Sequence, residues 1–164
     1  MGFKIGKTKA KSYNSYTYSP EDKNELQEIL RERLKDDPNA DLNDIDVSKI
    51  TDMNDLFHPF KPHNIKISDW NVSNVKDMAQ MFAWCEDFNG DISEWDVSSV
   101  ENMNRMFWNC NKFDCDLSKW DVSNVENMEN MFEYCSEFKG KGLEKWDVSG
   151  VTNMRFMFYM CVVS

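Results

Sequence analysis

The residues of this chain that could do chemistry come in columns. Cys85, Cys110, Cys135 and Cys161 each lie 15 residues after a tryptophan, namely Trp70, Trp95, Trp120 and Trp146. Thiols in a line suggest metal binding or disulfides. The equivalent place in the preceding, more irregular segment holds Phe60. A place that accepts phenylalanine is a core place, and a buried free cysteine behaves there as a small hydrophobe. No Cys-x-x-Cys pair exists, and the histidines, His58 and His63, both sit in the irregular segment. That is a poor zinc set. Cys115 is extra and falls where Gly90 stands one repeat earlier, so greater exposure is expected of it.

Acids and amides form further columns. Asp46, Asn71, Asp96, Asp121 and Asp147 recur, followed two residues later by Ser48, Ser73, Ser98, Ser123 and Ser149. Asp52, Asp77, Asn102, Asn127 and Asn153 make another set. Stacked carboxylates could hold calcium. The simpler reading is that they accept hydrogen bonds from corner amides, because buried turn backbone must be satisfied. The sequence has no isolated Ser-His-Asp or Cys-His set, no paired acid in a glycine-framed pocket and no phosphate-cradling glycine loop. It therefore reads as a non-enzymatic chain, with no cofactor and no metal expected.

The elements that position these columns follow from the repeat. The frame Trp95-Asp96-Val97-Ser98-Ser99-Val100-Glu101-Asn102-Met103, then Met106-Phe107, then Cys110, starts again at Trp70, Trp120 and Trp146, with a degenerate copy from Ile45. Starts about 25 residues apart are the mark of a solenoid. Trp95 and Val97 have strand spacing, while Val100, Met103, Met106, Phe107 and Cys110 have helical spacing. The expected fold is an α/β repeat solenoid, each coil a short parallel strand plus a short helix. Met53, Met78, Met103, Met128 and Met154 form one expected core column. Leu56, Met81, Met106, Met131 and Met157 form a second, and Phe57, Phe82, Phe107, Phe132 and Phe158 a third.

Residues 1–18 read as a flexible segment. Residues 19–44 read as a capping helix and linker, with Ser19 as cap, Pro20 at the first helical position, and Leu26, Ile29, Leu30 and Leu34 at helical spacing. Residues 45–164 make five repeats, from 45, 70, 95, 120 and 146. Lys139 to Leu143 carry a one-residue insertion, placed in a bulge.

Function is expected where the repeat varies. Trp84, Trp108, Tyr134 and Tyr159 follow the Phe column at a wandering register, and aromatics with Met and Arg are typical of interface cores. Gln80, Arg105 and Asn130 stand at one equivalent place, where the last repeat has Phe156. The run Met154-Arg155-Phe156-Met157-Phe158-Tyr159-Met160-Cys161-Val162-Val163 is nearly all apolar and reads as an uncapped end. The partner-binding residues are therefore Trp84, Trp108, Tyr134, Arg155, Phe156, Phe158, Tyr159 and Val162. The net charge of −10 opposes binding to duplex nucleic acid, which needs clustered Lys and Arg. No apolar stretch approaches a membrane span, and no signal-peptide core follows the basic N-terminal residues. The chain as given reads as cytoplasmic, or as secreted or surface-exposed if a leader was removed.

The string Trp120-Asp121-Val122-Ser123-Asn124-Val125, with the Met, Phe and Cys that follow, closely resembles a repeat of bacterial surface lipoproteins, including those of mycoplasmas. It is also similar to BspA-like leucine-rich repeats. The resemblance covers about residues 45–161 and implies leucine-rich-repeat-like coils and a binding role without catalysis. Three functions follow as expectations. The first is a protein-binding module that self-associates through its last coil, a homodimer being the simplest case. The second is an acidic inhibitor that blocks a basic nucleic-acid-binding protein, as in phage-type counter-defence. The third is a surface adhesin lacking its leader.

Overall fold

A computed structural model describes residues 16–161. Its one α-helix among these residues, α1, spans Lys23–Leu34. The helix starts later than the Ser19 cap expected from sequence, because Asp22 caps it: the Asp22 side chain accepts the Glu25 amide at 3.0 Å. Glu25 in turn accepts the Glu21 amide at 2.8 Å. Leu26 and Leu30 are fully buried and join one core with Met53, Leu56 and Phe57. Burying each leucine contributes roughly 1.5–3 kcal/mol. Ion pairs from Lys23 to Asp52 at 3.3 Å and from Arg33 to Asp44 at 3.0 Å fasten the helix to the first coil. The flexible segment expected at the start lies mostly outside the described residues. Thr17 and Tyr18 within it are held, both donating to the Asp44 carbonyl, with Tyr18 bridged to Ile45.

From Ile45 onward the chain is built of turns. In the third coil Val100 donates to Val97 O, Met106 to Met103 O, Trp108 to Arg105 O, Cys110 to Phe107 O and Phe113 to Cys110 O, all between 2.9 and 3.2 Å. Each of these bonds closes a four-residue turn, and apolar residues stand at the turn ends. Between coils, alternate amides donate one repeat forward. Met103 reaches Asn127 O, Arg105 reaches Glu129 O, Phe107 reaches Met131 O and Asn109 reaches Glu133 O, at 2.8 to 3.0 Å. The coils thus stack in register, with single parallel bridges Asp52–Asp77, Asp77–Asn102, Asn102–Asn127 and Asn127–Asn153.

The expected α/β solenoid of leucine-rich-repeat-like strand-plus-helix coils is overturned. Among the described residues there is no strand, no sheet, and no α-helix inside any repeat. The physical reason lies in two columns of left-handed residues. Asp55, Gln80, Arg105, Asn130 and Phe156 have φ between 53° and 57°, and Trp84, Asn109, Tyr134 and Met160 have φ between 56° and 62°. They occupy the third place of successive turns, where a type II turn demands positive φ, and no right-handed helix passes through them. The bridges fall in the stretch read as helix, and the Trp-x-Val stretch read as strand ends in turns at both sides. A chain of turns repeats its core-facing residues every three or four positions, as a helix does, and that shared period produced the wrong expectation.

The core runs the length of the stack. Phe57, Phe82, Phe107, Phe132 and Phe158 lie face to face, with successive ring centroids 5.1 to 5.7 Å apart. Phe88, Phe113 and Phe138 form a parallel file. The indole N–H groups of Trp70, Trp95, Trp120 and Trp146 reach back to the carbonyls of Leu42, Ile67, Ile92 and Leu117 at 2.9 to 3.1 Å, so these polar atoms, buried in the first three and half-buried in Trp146, are satisfied. At the insertion, Gly142 has φ 94°, and a Cβ there would lie 2.2 Å from the Ser118 backbone nitrogen. A short 3₁₀ turn, Leu143–Lys145, follows.

Candidate functional site

Each polar column has a structural task. The side chains of Asp46, Asn71, Asp96, Asp121 and Asp147 accept the amide two residues on at 3.0 to 3.2 Å. Asp52, Asp77, Asn102, Asn127 and Asn153 do the same at 2.7 to 3.1 Å. Among the described residues no group of three or more His, Cys, Asp or Glu is placed to hold a metal ion. The Cys thiols are free, and those of the Cys column point at carbonyls one coil back, as Cys110 to Phe82 O and Cys135 to Phe107 O, both at 2.9 Å, while Cys115 points at the neighbouring Asp116 O. Burial pushes Cys85, Cys110 and Cys135 far above the ordinary thiol range, and pushes Cys161 up to about 11. Buried, protonated thiols of this kind are poor nucleophiles and poor metal ligands.

The left-handed corners hold most of the residues that vary between repeats, and except for the buried Asn130 their side chains are part-exposed or exposed. Trp84 and Tyr134 occupy such corners and are 37% and 39% exposed. Each meets an aromatic ring of the next coil. Trp84 and Trp108 are edge to face with centroids 5.2 Å apart, and Tyr134 and Tyr159 likewise at 6.0 Å. The register that wanders in sequence is therefore a pairing in space. A left-handed corner in one coil and the residue one place earlier in the next stand side by side.

Arg105, from the other left-handed column, lays its guanidinium 5.3 Å from the centre of the Trp108 ring, a cation–π contact. Arg105 Nε, Trp108 Nε1 and Asn130 Oδ1 are buried without a hydrogen-bond partner, unlike the four repeat tryptophans. Sequence reading placed Arg105 and Asn130 beside the aromatic set without assigning them a role, since nothing in their order announces these contacts.

Of the remaining expected site residues, Arg155, Phe156, Phe158 and Tyr159 are exposed on the last coil. Phe156 packs edge to face on Tyr159 at 6.0 Å under the Arg155 guanidinium, and Phe158 stacks on Phe132. Val162 lies outside the described residues. Met154 and Met160, at 42% and 64% exposure, belong to the same surface. Met154, expected in a core column, departs from the buried Met53, Met78, Met103 and Met128 because none of the described residues packs over it.

The backbone of this last coil has a direction. In the stack, the amides of Met128, Asn130, Phe132 and Tyr134 donate forward to the carbonyls of Asn153, Arg155, Met157 and Tyr159. The equivalent amides of Met154, Phe156, Phe158 and Met160 donate to nothing among the described residues. This edge therefore offers donors. At the opposite end, no backbone N–H among the described residues donates to the carbonyls of Asp52, Asn54, Leu56 and His58, and Leu26 and Leu30 of α1 join the core that holds Met53, Leu56 and Phe57. The other sides of the stack carry charges that pair between coils, such as Lys76–Glu101 at 2.7 Å, Lys112–Glu137 at 2.6 Å and Lys141–Asp116 at 2.8 Å.

No described helix is long and apolar enough to cross a membrane. No curated protein and no solved structure is significantly similar to the chain. Residues 24–142 and 127–163 match the family described as "Mycoplasma protein of unknown function, DUF285", and the chain belongs to that family.

Proposed function

We propose that this member of a family without assigned activity is a non-enzymatic protein-binding module. The observation that carries the reading is the division of the repeat. Its constant apolar columns are buried in coils two to four, while the large exposed apolar side chains of the repeats sit at variable positions and on the last coil. Trp84, Trp108, Tyr134 and Tyr159 give rigid aromatic area beside Arg105, the composition favoured at interface hot spots. Arg155, Phe156, Phe158, Met154 and Met160 extend it across the end of the stack. Contiguous apolar surface of this kind supports an interaction site. The finer expectation, that the repeats resemble a surface-protein class, adds a binding role by analogy alone.

Self-association through the last coil is one form of this reading. Two copies meeting tail to tail about a two-fold axis would set a row of N–H donors against an identical row. Each amide left buried and unpaired costs about 1–3 kcal/mol, so the backbone favours a different partner over a symmetric copy.

The test is comparative capture. Immobilised wild-type chain, a Trp84→Ala/Tyr134→Ala variant and a Phe156→Glu/Phe158→Glu variant are exposed to lysate of the source cell, with light scattering on each. The expected result is a protein retained by the wild type and lost from at least one variant. Identical capture by all three would remove the basis for the proposal.

A further inference from the structure

We propose that the corner column of coils two to four takes an arginine side chain of a partner protein, laid between the rings of Trp84 and Tyr134 with its head at Glu86 and Glu133. This rests on the binding reading above and goes further by naming the chemistry of the partner. Three observations carry it.

The first is the order of residues along one column. Trp84, Asn109 and Tyr134 occupy the same left-handed corner in successive coils. Trp84 and Tyr134 are exposed, and the short Asn109 between them is part-exposed. The two aromatic corners stand two coils apart, roughly 10 Å at the spacing of stacked extended chains. Both rings lean toward the following coil, Trp84 onto Trp108 and Tyr134 onto Tyr159, and a common lean preserves that separation. A planar group laid between two rings needs roughly 7–8 Å, twice the ordinary carbon contact, so the notch over Asn109 admits one.

The second is charge. On the other sides of the stack Glu94, Glu101, Asp114, Asp116 and Glu137 each pair with a lysine of a neighbouring coil. Glu86 and Glu133 have no ion pair among the described residues. Amides hold them instead: Glu86 Oε1 accepts from Asn109 Nδ2 at 3.2 Å, and Glu133 Oε2 accepts from Asn130 Nδ2. The Asn109 backbone amide donates to the Glu133 carbonyl at 2.8 Å, so both acidic residues are joined to the floor of the notch. Against them stands the Arg105 guanidinium on Trp108. Two carboxylates and one guanidinium leave the local balance negative, in a chain of net charge −10, and that field draws a cation.

The third is the state of the rings. The cluster already seats a guanidinium on an indole, Arg105 at 5.3 Å from the Trp108 ring centre, within the range of a cation–π contact. Trp84 and Tyr134 carry no cation among the described residues. Both are bulky residues held at positive φ, a conformation that only glycine adopts without penalty, and backbone strain of this kind concentrates at functional sites. Arginine suits the notch better than lysine, because its planar head stacks on rings and forks to carboxylates.

The experiment uses the 164-residue chain and a hexa-arginine peptide at about 0.15 M ionic strength, followed by NMR of backbone amides and tryptophan indoles. Binding tighter than roughly 1 mM is expected, with the largest shifts at the Trp84 indole and at the amides of Asn109 and Tyr134. The Trp84→Ala/Tyr134→Ala variant is expected to bind roughly tenfold more weakly. Glu86→Gln/Glu133→Gln keeps an acceptor for each asparagine and is expected to weaken binding by roughly fivefold. Glu28→Gln/Glu126→Gln removes equal charge at other exposed places and is expected to weaken it by less than about twofold. A hexa-lysine peptide is expected to bind several-fold more weakly than hexa-arginine. Equal losses from the two charge pairs overturn the inference in favour of general attraction to an acidic surface. Binding that survives removal of both rings overturns it, as does hexa-lysine binding as tight as hexa-arginine, or no binding at about 1 mM. If the peptide fails while the Trp84→Ala/Tyr134→Ala variant still loses a captured protein, only this inference falls and the binding reading stands.

Discussion

The amide of Trp84 donates to the carbonyl of Trp108 at 2.8 Å, and the two rings meet edge to face. One relationship thus joins the ladder that holds the coils together to the surface read as the binding face. The left-handed corner at Trp84 makes both possible, since it leaves the side chain 37% exposed while keeping its amide in the stack.

Trp84 and Trp95 separate binding from stability. The edge-to-face pair contributes about 0.5–1.5 kcal/mol beyond area burial, so Trp84→Ala is expected to lower stability by about 1 kcal/mol and to weaken partner binding. Trp95 is 2% exposed, and Trp95→Ala is expected to cost about 3–5 kcal/mol. Urea denaturation of the two variants checks this, and equal costs would show that Trp84 is core.

Gly142 is required by its conformation. With φ at 94° and the Ser118 backbone in the way of a Cβ, Gly142→Ala is expected to destabilise the fold by more than about 1 kcal/mol. Gly150 meets its nearest neighbour at 3.1 Å without positive φ, and Gly150→Ala is expected to cost less. Thermal denaturation of both orders them.

The thiols give an alkaline limit. Burial raises the folded-state pKa of Cys161 to about 11 from the ordinary 9.0, and raises those of Cys85, Cys110 and Cys135 further. A group whose folded pKa is raised contributes stability that is present in full below its unfolded pKa and lost as pH rises through the folded one. Stability is therefore expected to be unaffected by the thiols below about pH 9 and to fall progressively through pH 11. Denaturant titrations across that range measure the slope, and a Cys161→Ala variant is expected to flatten its lower part.

Methionine oxidation separates the two faces of the account. Met78, Met103, Met106 and Met128 are 0% exposed, whereas Met154 and Met160 are among the most exposed apolar side chains. Mild peroxide is expected to convert Met154 and Met160 first, with little change in melting temperature. Peptide mapping reads the order, and early oxidation of Met103 would contradict the packing.

The sequence made the register of the stack readable, because Trp, Met, Phe and Cys recur at places where only packing constrains the choice. Leu26 and Leu30 were readable as the face of a capping helix for the same reason. The nature of the coil was not readable. Turns ending on Met103, Met106, Phe107 and Cys110 copy the period of a helix, and the left-handed places hold Asp55, Gln80, Arg105 and Phe156, with no glycine to announce positive φ. Asn109 and Asn130 carry the faint signal available, since asparagine tolerates that region better than most residues. Trp108 and Tyr159 could be singled out by their variation, but their pairing with Trp84 and Tyr134 depends on corners that a helix would not have made.

The central claim is a one-way ladder of turns that leaves a row of donors at its last coil. Residue-resolved amide hydrogen exchange on the free chain, at a concentration where light scattering gives a monomer, tests it most directly. The account predicts strong protection at Met103, Arg105, Phe107 and Asn109 and at Met128, Asn130, Phe132 and Tyr134, with near-unprotected exchange at Met154, Phe156, Phe158 and Met160. Uniform protection across all three sets in a monomer would contradict it, as would exchange at Arg105 and Phe107 as fast as at Phe156.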